Sequence, residues 1–208
     1  MRVADNDVRR RDSDETTTRL LDAAAEVFVE HGYDKAVIAD IARRAGVTTG
    51  AVFGRWANKS ELMAAAVDHI FDQILPDQRI KQLGIDDVPV TDIFSAWAAN
   101  ILSGDETQDV MVQVFASARN NDAVRQRLQW FLDEQAQQIA HLIDRGRIEV
   151  DFDPGYSTAA VALLIQAVGV GIHLLLSAGR DEQHIPSAQE WETLIRGLFH
   201  SLTTPPPQ

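Results

Sequence analysis

The longest uncharged stretch of the chain sets the strongest limit on its fold. Tyr156–Ala178 contains no Asp, Glu, Lys or Arg. A helix of this length must either cross a bilayer or be covered by protein. Gln166, His173, Gly169 and Gly171 lie inside it and argue against a membrane span. We therefore expect a helix buried in protein and no association with a membrane.

The residues after this stretch predict a second helix that pairs with it. Ser187–Glu190 has the pattern of a capping box, and an apolar stripe follows it. Because a long uncharged helix cannot face water in a soluble monomer, a second copy of the chain is the simplest cover. We expect a homodimer whose interface is a four-helix bundle. Its predicted residues are Ala162, Gln166, Gly169, Gly171, Leu174, Trp191, Leu194 and Leu198.

Composition excludes several classes of protein. Hydrophobic residues make up 45% of the chain and charged residues 24%, the proportions of a folded protein. The chain has no cysteine, so disulfides and thiolate-bound metals are excluded. Residues 1–18 are polar and do not resemble a signal peptide, so we expect a cytoplasmic protein.

The net charge of −12 is unevenly distributed along the chain. Residues 1–60 are neutral, with ten basic and ten acidic side chains, and the acidic excess falls on the rest. Residues 35–60 hold five basic side chains and one acidic side chain, Asp40. A locally basic segment on an acidic body suits a surface that binds phosphate, although chance clustering on a solvated face produces the same pattern.

Residues 38–56, IADIARRAGVTTGAVFGRW, have the pattern of a helix-turn-helix. Ile41, Ala45 and Val52 are apolar anchors, Gly46 permits the tight turn, and Thr48 can cap the second helix. The short side chains that follow would let the second helix approach base edges in a major groove. An ordinary helical hairpin is the alternative.

The run from Leu20 to Leu62, with AAAEVFVEHGY, DIARRAGVTTGAVFGRW and NKSEL in register, resembles the DNA-binding domain of the tetracycline-repressor (TetR) family. The resemblance implies an all-α protein. A three-helix DNA-binding head at 13–58 would be followed by a connecting helix at 59–75. A helical ligand-sensing and dimerisation domain would occupy 76–203, after a polar connection at 76–89. Residues 1–12 and 204–208 are expected to be disordered.

The resemblance also assigns residues to the DNA contact. Thr48, Thr49, Gly50 and Ala51 match the start of the family's recognition helix, and Lys59 matches its phosphate-binding lysine. The remaining candidates are Arg43, Arg44, Phe53 and Arg55.

Three departures affect this contact. Phe53 stands where the family has a phosphate-binding tyrosine, Ala36-Val37 where it has a Thr-Thr pair, and Ala39 where it often has arginine. These put the usual contacts of the second helix in doubt. The three arginines at 43, 44 and 55 are candidates to compensate, and the alternative for one of the adjacent pair is a purely solvated role.

The resemblance to the TetR family implies a small-molecule site in the body. Apolar walls with a few polar groups are typical of such sites, although ordinary core packing explains the same aromatic residues. The predicted lining is Phe94, Trp97, Asn100, Phe115, Trp130, Phe131, His141, Gln166 and His173. The expected function is a repressor that binds a palindromic double-stranded DNA operator and is released by a small, largely apolar effector.

Enzyme signatures are missing from the sequence, so we expect no catalytic residues, no cofactor and no metal. Two alternatives remain open. One is a helical enzyme or carrier for an apolar small molecule, and the other is a dimeric interaction module with a relic DNA-binding head.

Overall fold

A computed structural model of the chain describes residues 2–102, 106–150, 156–179 and 181–203. Within these residues the regular structure is helical, as the sequence predicted. The α-helices are α1 (Arg2–Lys35), α2 (Ile38–Arg44), α3 (Thr49–Phe53), α4 (Lys59–Ile74), α5 (Pro76–Leu83), α6 (Val90–Asn100), α7 (Glu106–Ala118), α8 (Asp122–Val150), α9 (Thr158–Ser177) and α10 (Ala188–Thr203).

The chain forms two compact units. The head unit contains the residues up to Gln73 together with Gln113–Leu128, and the body unit contains Ile74–Val112 and the residues from Gln129 onward. The sequence predicted a single division at 76–89 and assigned 113–128 to the body. Val114 and Val124 of that segment are buried. Their membership of the head unit rests on contacts between residues distant in sequence, which periodicity does not reveal.

The core of the head unit is built from the apolar stripe of α1. Leu20 and Phe28 of α1 are fully buried, as is Ile41 of α2, and Val52 of α3 is almost so. Helix α1 kinks at Gly32, whose φ of 71° lies in the left-handed region that glycine tolerates best. The sequence placed the end of the first helix at this glycine.

The predicted helix-turn-helix is present. Helix α2 ends at Arg44, and Gly46, with φ 69°, turns the chain toward α3. The N–H of Val47 donates to the carbonyl of Ala42 at 2.9 Å and closes the turn.

The connection expected at 76–89 was wrong over its first half, because residues 76–83 form α5. Pro76 occupies its first turn, where the missing N–H costs nothing, and Gly84 ends the helix with φ 64°. Ile80 of this helix is buried. Proline and glycine here mark the two ends of a short helix, although both residues are also common in loops.

Two other helix starts are set outside the segments discussed so far. The side chain of Asn121 accepts from the N–H groups of Ala123 and Val124, so it caps α8. Helix α1 extends back to Arg2, into residues expected to be disordered. The expectation for 204–208 concerns residues outside the described part of the chain.

The capping box at the start of α10 is confirmed. Ser187 Oγ accepts from the N–H of Glu190 at 3.3 Å, and the Ser187 N–H donates to Glu190 Oε2 at 3.0 Å. The Ser187 hydroxyl also donates to Glu190 Oε2 at 2.6 Å, and this hydrogen bond, together with the one from the Ser187 N–H, lowers the pKa of Glu190.

Helix α9 packs one face on the body core and leaves the opposite face uncovered. Val161, Ala162 and Ile165 are buried in a cluster with residues of α5, α6 and α8. Leu163 is 66% exposed and Leu175 is 52% exposed. By length and composition alone α9 could cross a membrane, and only 17% of its most apolar window is buried within the single chain.

We predict that Gly46→Ala destabilises the head unit by about 1–2 kcal/mol, the cost of a left-handed backbone at a residue with a Cβ. A Cβ at this position would meet no atom within 4 Å, so the cost is purely conformational. The free energy of unfolding measures it. Gly46→Asn is the control and should cost less, because asparagine tolerates positive φ. Equal effects of the two substitutions would contradict this explanation.

Candidate nucleic-acid interface and effector cavity

Helix α3 presents short side chains at its N-terminal end. Thr48 is its N-cap, and its hydroxyl accepts from the N–H of Ala51 at 3.3 Å. Thr49 and Gly50 are exposed, whereas Val52 faces the core. The outward residues are therefore those that the sequence assigned to base contact, with Ala51 half-buried beside them.

Phe53 and Val37 add exposed apolar surface to the head. Phe53 is 53% exposed and Val37 is 57% exposed. Val37 is the N-cap of α2 and supplies no side-chain hydrogen bond to the helix. The absence of a hydroxyl at this cap agrees with the departure noted in the sequence.

Arg44 is held by acidic side chains within the head unit. Its guanidinium forms a bidentate pair with Glu30 at 2.7 and 2.5 Å, and its Nε lies 3.4 Å from Asp40 Oδ2. The hydrogen bond from Arg44 lowers the pKa of Glu30. A carboxyl with a lowered folded-state pKa stabilises the fold above its ordinary pKa and loses that contribution as pH falls through the lowered value. The pair is therefore intact at neutral pH and ties α2 to α1.

Arg43 has a different environment from its neighbour. Its side chain is 73% exposed and pairs with Asp40 one helical turn back. The hydrogen bond from Arg43 is the main cause of the lowered pKa of Asp40. An exposed pair of this kind contributes little to stability, so the guanidinium can exchange it for a phosphate at small cost.

Arg55 links α1 to the end of α3. Its Nε donates to Thr17 Oγ1 at 3.0 Å, one Nη donates to the carbonyl of Ala51 at 3.0 Å, and the other to the carbonyl of Ser13 at 3.4 Å. These contacts make Arg55 a positioning residue for α3.

Lys59 lies at the start of α4, as the sequence predicted. Its ammonium donates to the carbonyl of Asp34 at 2.9 Å and lies 5.2 Å from the centroid of the Tyr33 ring. An ammonium has three donors. The carbonyl takes one, and the others are available to a phosphate oxygen.

The body unit contains a cavity of about 510 Å³. Six of the nine predicted lining residues surround it. They are Phe94, Trp97, Asn100, Phe131, Gln166 and His173. The other three lie elsewhere, because Trp130 and His141 are exposed on α8 and Phe115 belongs to the head unit.

Sequence analysis missed several residues that line this cavity, among them Ile74, Arg79, Met111 and Gln135. Gln135 was detectable, because it interrupts the apolar stripe of α8 between Phe131 and Ile139. Arg79 was not detectable, since it belongs to the helix that was taken for a loop.

The residues predicted for the dimer interface divide between the two faces of α9. Ala162 is buried in the body core, Gln166 lines the cavity, and a Cβ on Gly169 would lie 3.5 Å from Trp97 Cζ2. Gly171 and Leu174 lie on the uncovered face of this helix. Leu194 and Leu198 of α10 are exposed, and Trp191 is half-buried.

Among the described residues no group of three or more His, Asp or Glu side chains is placed to hold a metal ion. His69 Nε2 lies 2.7 Å from Asp22 Oδ1, an exposed pair between α4 and α1.

Comparison with known proteins matches the head to one family. Residues 20–66 match the model of bacterial regulatory proteins of the tetR family. Over 153 residues the chain is 27% identical to the HTH-type transcriptional regulator SrpR of Pseudomonas putida, covering 68% of each protein. The head therefore has the sequence of a tetR-family DNA-binding domain. Two further relatives match at 35% and 42% identity over only 30% and 33% of their own length. These relatives are named as transcriptional regulators and not as enzymes, in agreement with the sequence prediction.

Solved structures share this fold over nearly the whole chain. A TetR-family transcriptional regulator from Rhodococcus sp. superposes with a TM-score of 0.74 at 17% identity, covering 92% of this chain and all of that one. NalD of Pseudomonas aeruginosa is described as the secondary repressor of the MexAB-OprM multidrug efflux pump. It superposes with a TM-score of 0.64 at 23% identity. NalD is covered to 98% and this chain to 93%. At these identities the likeness shows a common fold.

Substitution of the two adjacent arginines, Arg43 and Arg44, should have different effects on DNA binding and on stability. We predict that Arg43→Ala weakens binding to every DNA sequence and flattens the salt dependence of affinity by about one unit, because one phosphate contact is lost. Arg44→Ala should lower the thermal midpoint and leave the salt slope unchanged at temperatures where the head is folded. Fluorescence anisotropy over a salt series, with thermal melts, measures both. A flattened slope in the folded Arg44 variant would place that guanidinium on the phosphate backbone.

Proposed function

We propose that this TetR-family regulator is a cytoplasmic repressor that binds a near-palindromic DNA operator as a homodimer and leaves it when a small, largely apolar effector fills the body cavity. The observation that carries the proposal is the exposed N-terminal end of α3, capped by Thr48 and fixed by the burial of Val52. NalD, which shares the fold, is described as a repressor, and this supports repression over activation.

The chemistry of α3 suits the major groove. Thr49 and Gly50 leave room for the helix backbone to approach base edges, and a threonine hydroxyl can donate to or accept from a base. Arg43 and Lys59 supply the phosphate contacts that set register, while Arg44 and Arg55 hold the helices in place.

The uncovered face of α9 supports dimerisation. Exposed leucines lie on this face, and α10 carries others, among them Leu194 at 61% exposed. Gly171 lies in the middle of the α9 face, and a Cβ there would meet no atom within 4 Å. We assign this face to a second copy of the chain, because two-fold symmetry would also give two recognition helices for the two halves of a palindrome.

The lining of the cavity suggests how an effector could act on the head. Ile74, the last residue of α4, lines the cavity, and so do Met111 of α7 and Phe131 of α8. Helices α7 and α8 each continue into the head unit. An effector that binds one arrangement of these helices more tightly than another shifts the population toward it, and this linkage is the physical basis of release.

The DNA-binding proposal predicts that the protein binds DNA flanking its own gene more tightly than random DNA, with an affinity that falls steeply with salt. Thr49→Ala should relax sequence preference, because it removes a base contact. Lys59→Ala is the matched control and should weaken all sequences alike. Anisotropy titrations of both DNAs across a salt series measure this. Equal affinity of the wild-type protein for the two DNAs at every salt concentration would refute the proposal.

The dimer proposal predicts that Gly171→Arg yields monomers in sedimentation and abolishes operator binding, because a charge is placed in the apolar interface. Ile148→Arg is the control, since Ile148 is 87% exposed on α8, and it should stay dimeric. A Gly171→Arg protein that remains dimeric would move the interface elsewhere. A wild-type protein that sediments with membranes would instead show that lipid covers α9.

A further inference from the structure

We propose that the effector of the body cavity carries no positive charge, and that it combines a flat apolar body with a neighbouring hydrogen-bond donor and acceptor of the amide type. This inference deepens the proposed effector site and rests on that site being a ligand cavity. It is carried by the charge of the lining and by a pair of glutamines, Gln135 and Gln166.

The lining contains no carboxylate. None of the residues that surround the cavity in the described part of the chain is Asp or Glu, and the charged side chain among them is the cation Arg79. Moving an ammonium group from water into such a site costs several kcal/mol unless an anion or a set of acceptors replaces its hydration. Protonation of His173, which also lines the cavity, would only add positive charge. The lining therefore selects against cationic ligands.

The glutamine pair is oriented by one backbone carbonyl. Gln166 Nε2 lies 2.6 Å from the carbonyl oxygen of Leu132 and 3.2 Å from Gln135 Oε1. Because a carbonyl can only accept, the atom facing Leu132 must be the nitrogen of Gln166. That nitrogen also donates to Gln135, so the atom it meets there is the oxygen of Gln135.

This orientation leaves one acceptor and one donor group in the pair. They are Oε1 of Gln166 and Nε2 of Gln135, and within the described residues the structure gives neither atom a protein partner. Both residues line the cavity and are half-buried. A ligand that offers a matching acceptor and donor side by side would satisfy both, and a primary amide has this arrangement. A ligand that lacks them would leave partly buried polar groups unpaired.

The apolar part of the cavity favours a planar ligand. Trp97 is half-buried, and its indole lies against the backbone of α9 at Gly169. Phe94 and Phe131 also line the cavity, so aromatic faces and edges are available for stacking. The volume of about 510 Å³ lies within the range of small-molecule sites, about 300–1,000 Å³.

The proposal is tested with three probes that share one ring system: 2-naphthamide, 2-methylnaphthalene and 2-naphthylmethylamine, which is an ammonium ion at neutral pH. Equilibrium dialysis against the full-length protein measures their binding. We expect the amide to bind about tenfold tighter than the hydrocarbon, the effect of one or two hydrogen bonds, and the ammonium to bind weakest. Ammonium binding as tight as amide binding, or no saturable binding of the amide, would overturn the proposal.

The second test changes the protein and not the ligand, by adding a negative charge to the glutamine pair. Gln135→Glu keeps an oxygen to accept from Gln166 and adds a carboxylate, so it should bind the ammonium about tenfold better than the wild type and lose its preference for the amide. Gln137→Glu, on the exposed side of the same helix, adds the same charge and should bind like the wild type. If Gln135→Glu does not fold, Gln135→Met serves instead and should bind amide and hydrocarbon equally. A Gln135 variant that folds and keeps the wild-type order of the probes would contradict the assignment.

Release from DNA is measured separately with the same probes. Amide binding with the expected preferences but no change in operator affinity would leave this inference intact and refute the effector role proposed for the cavity.

Discussion

The burial of Val52 against the core of the head fixes which face of α3 is turned outward. A helix of five residues does not form in isolation, because the free-energy cost of nucleating it exceeds the stabilisation from so few hydrogen bonds. Thr48 caps its start, and Arg55 ties its end to α1. The recognition surface is therefore a product of tertiary contacts, and the outward position of Thr49 and Gly50 follows from them.

The cations of the head differ in how fully protein partners occupy their hydrogen-bond donors. Arg44 and Arg55 have their guanidinium groups occupied by partners within the head unit, whereas Arg43 is exposed and Lys59 has donors to spare. The proposed DNA contact therefore rests on a few local cations in a chain of net charge −12. The acidic side chains Glu30 and Asp40 orient the arginines locally, and the whole acidic excess lies beyond residue 60, where it would oppose non-specific binding to DNA.

Local signals in the sequence predicted the helix-turn-helix and the helix caps at Thr48 and Ser187. Gly46, Thr48 and Ser187 act through neighbours within four residues, so their roles can be inferred from spacing. The roles of Arg44 and Arg55 could not be inferred in this way, because Glu30 and Thr17 lie far from them in sequence. Helix α5 was missed because its Pro76 and Gly84 also fit a loop.

The residues that line the cavity could likewise be predicted only in part, because the lining depends on contacts between residues far apart in sequence. Aromatic residues of α6 and α8 indicated a pocket, but which of them line it depends on how the helices are rotated. Trp130 and Phe131 are adjacent in sequence, yet one is exposed and the other is buried. Gln135 and Gln166 form a pair only because α8 and α9 lie side by side in the body unit.

A hydroxyl-radical footprint of the wild-type protein on the DNA that flanks its own gene tests the central claim most directly, that a fixed α3 reads a two-fold symmetric site. We expect two protected segments related by a dyad, with centres about one helical turn, about 34–36 Å, apart or a multiple of it. Protection without a dyad, or protection spread evenly along the DNA, would contradict the account.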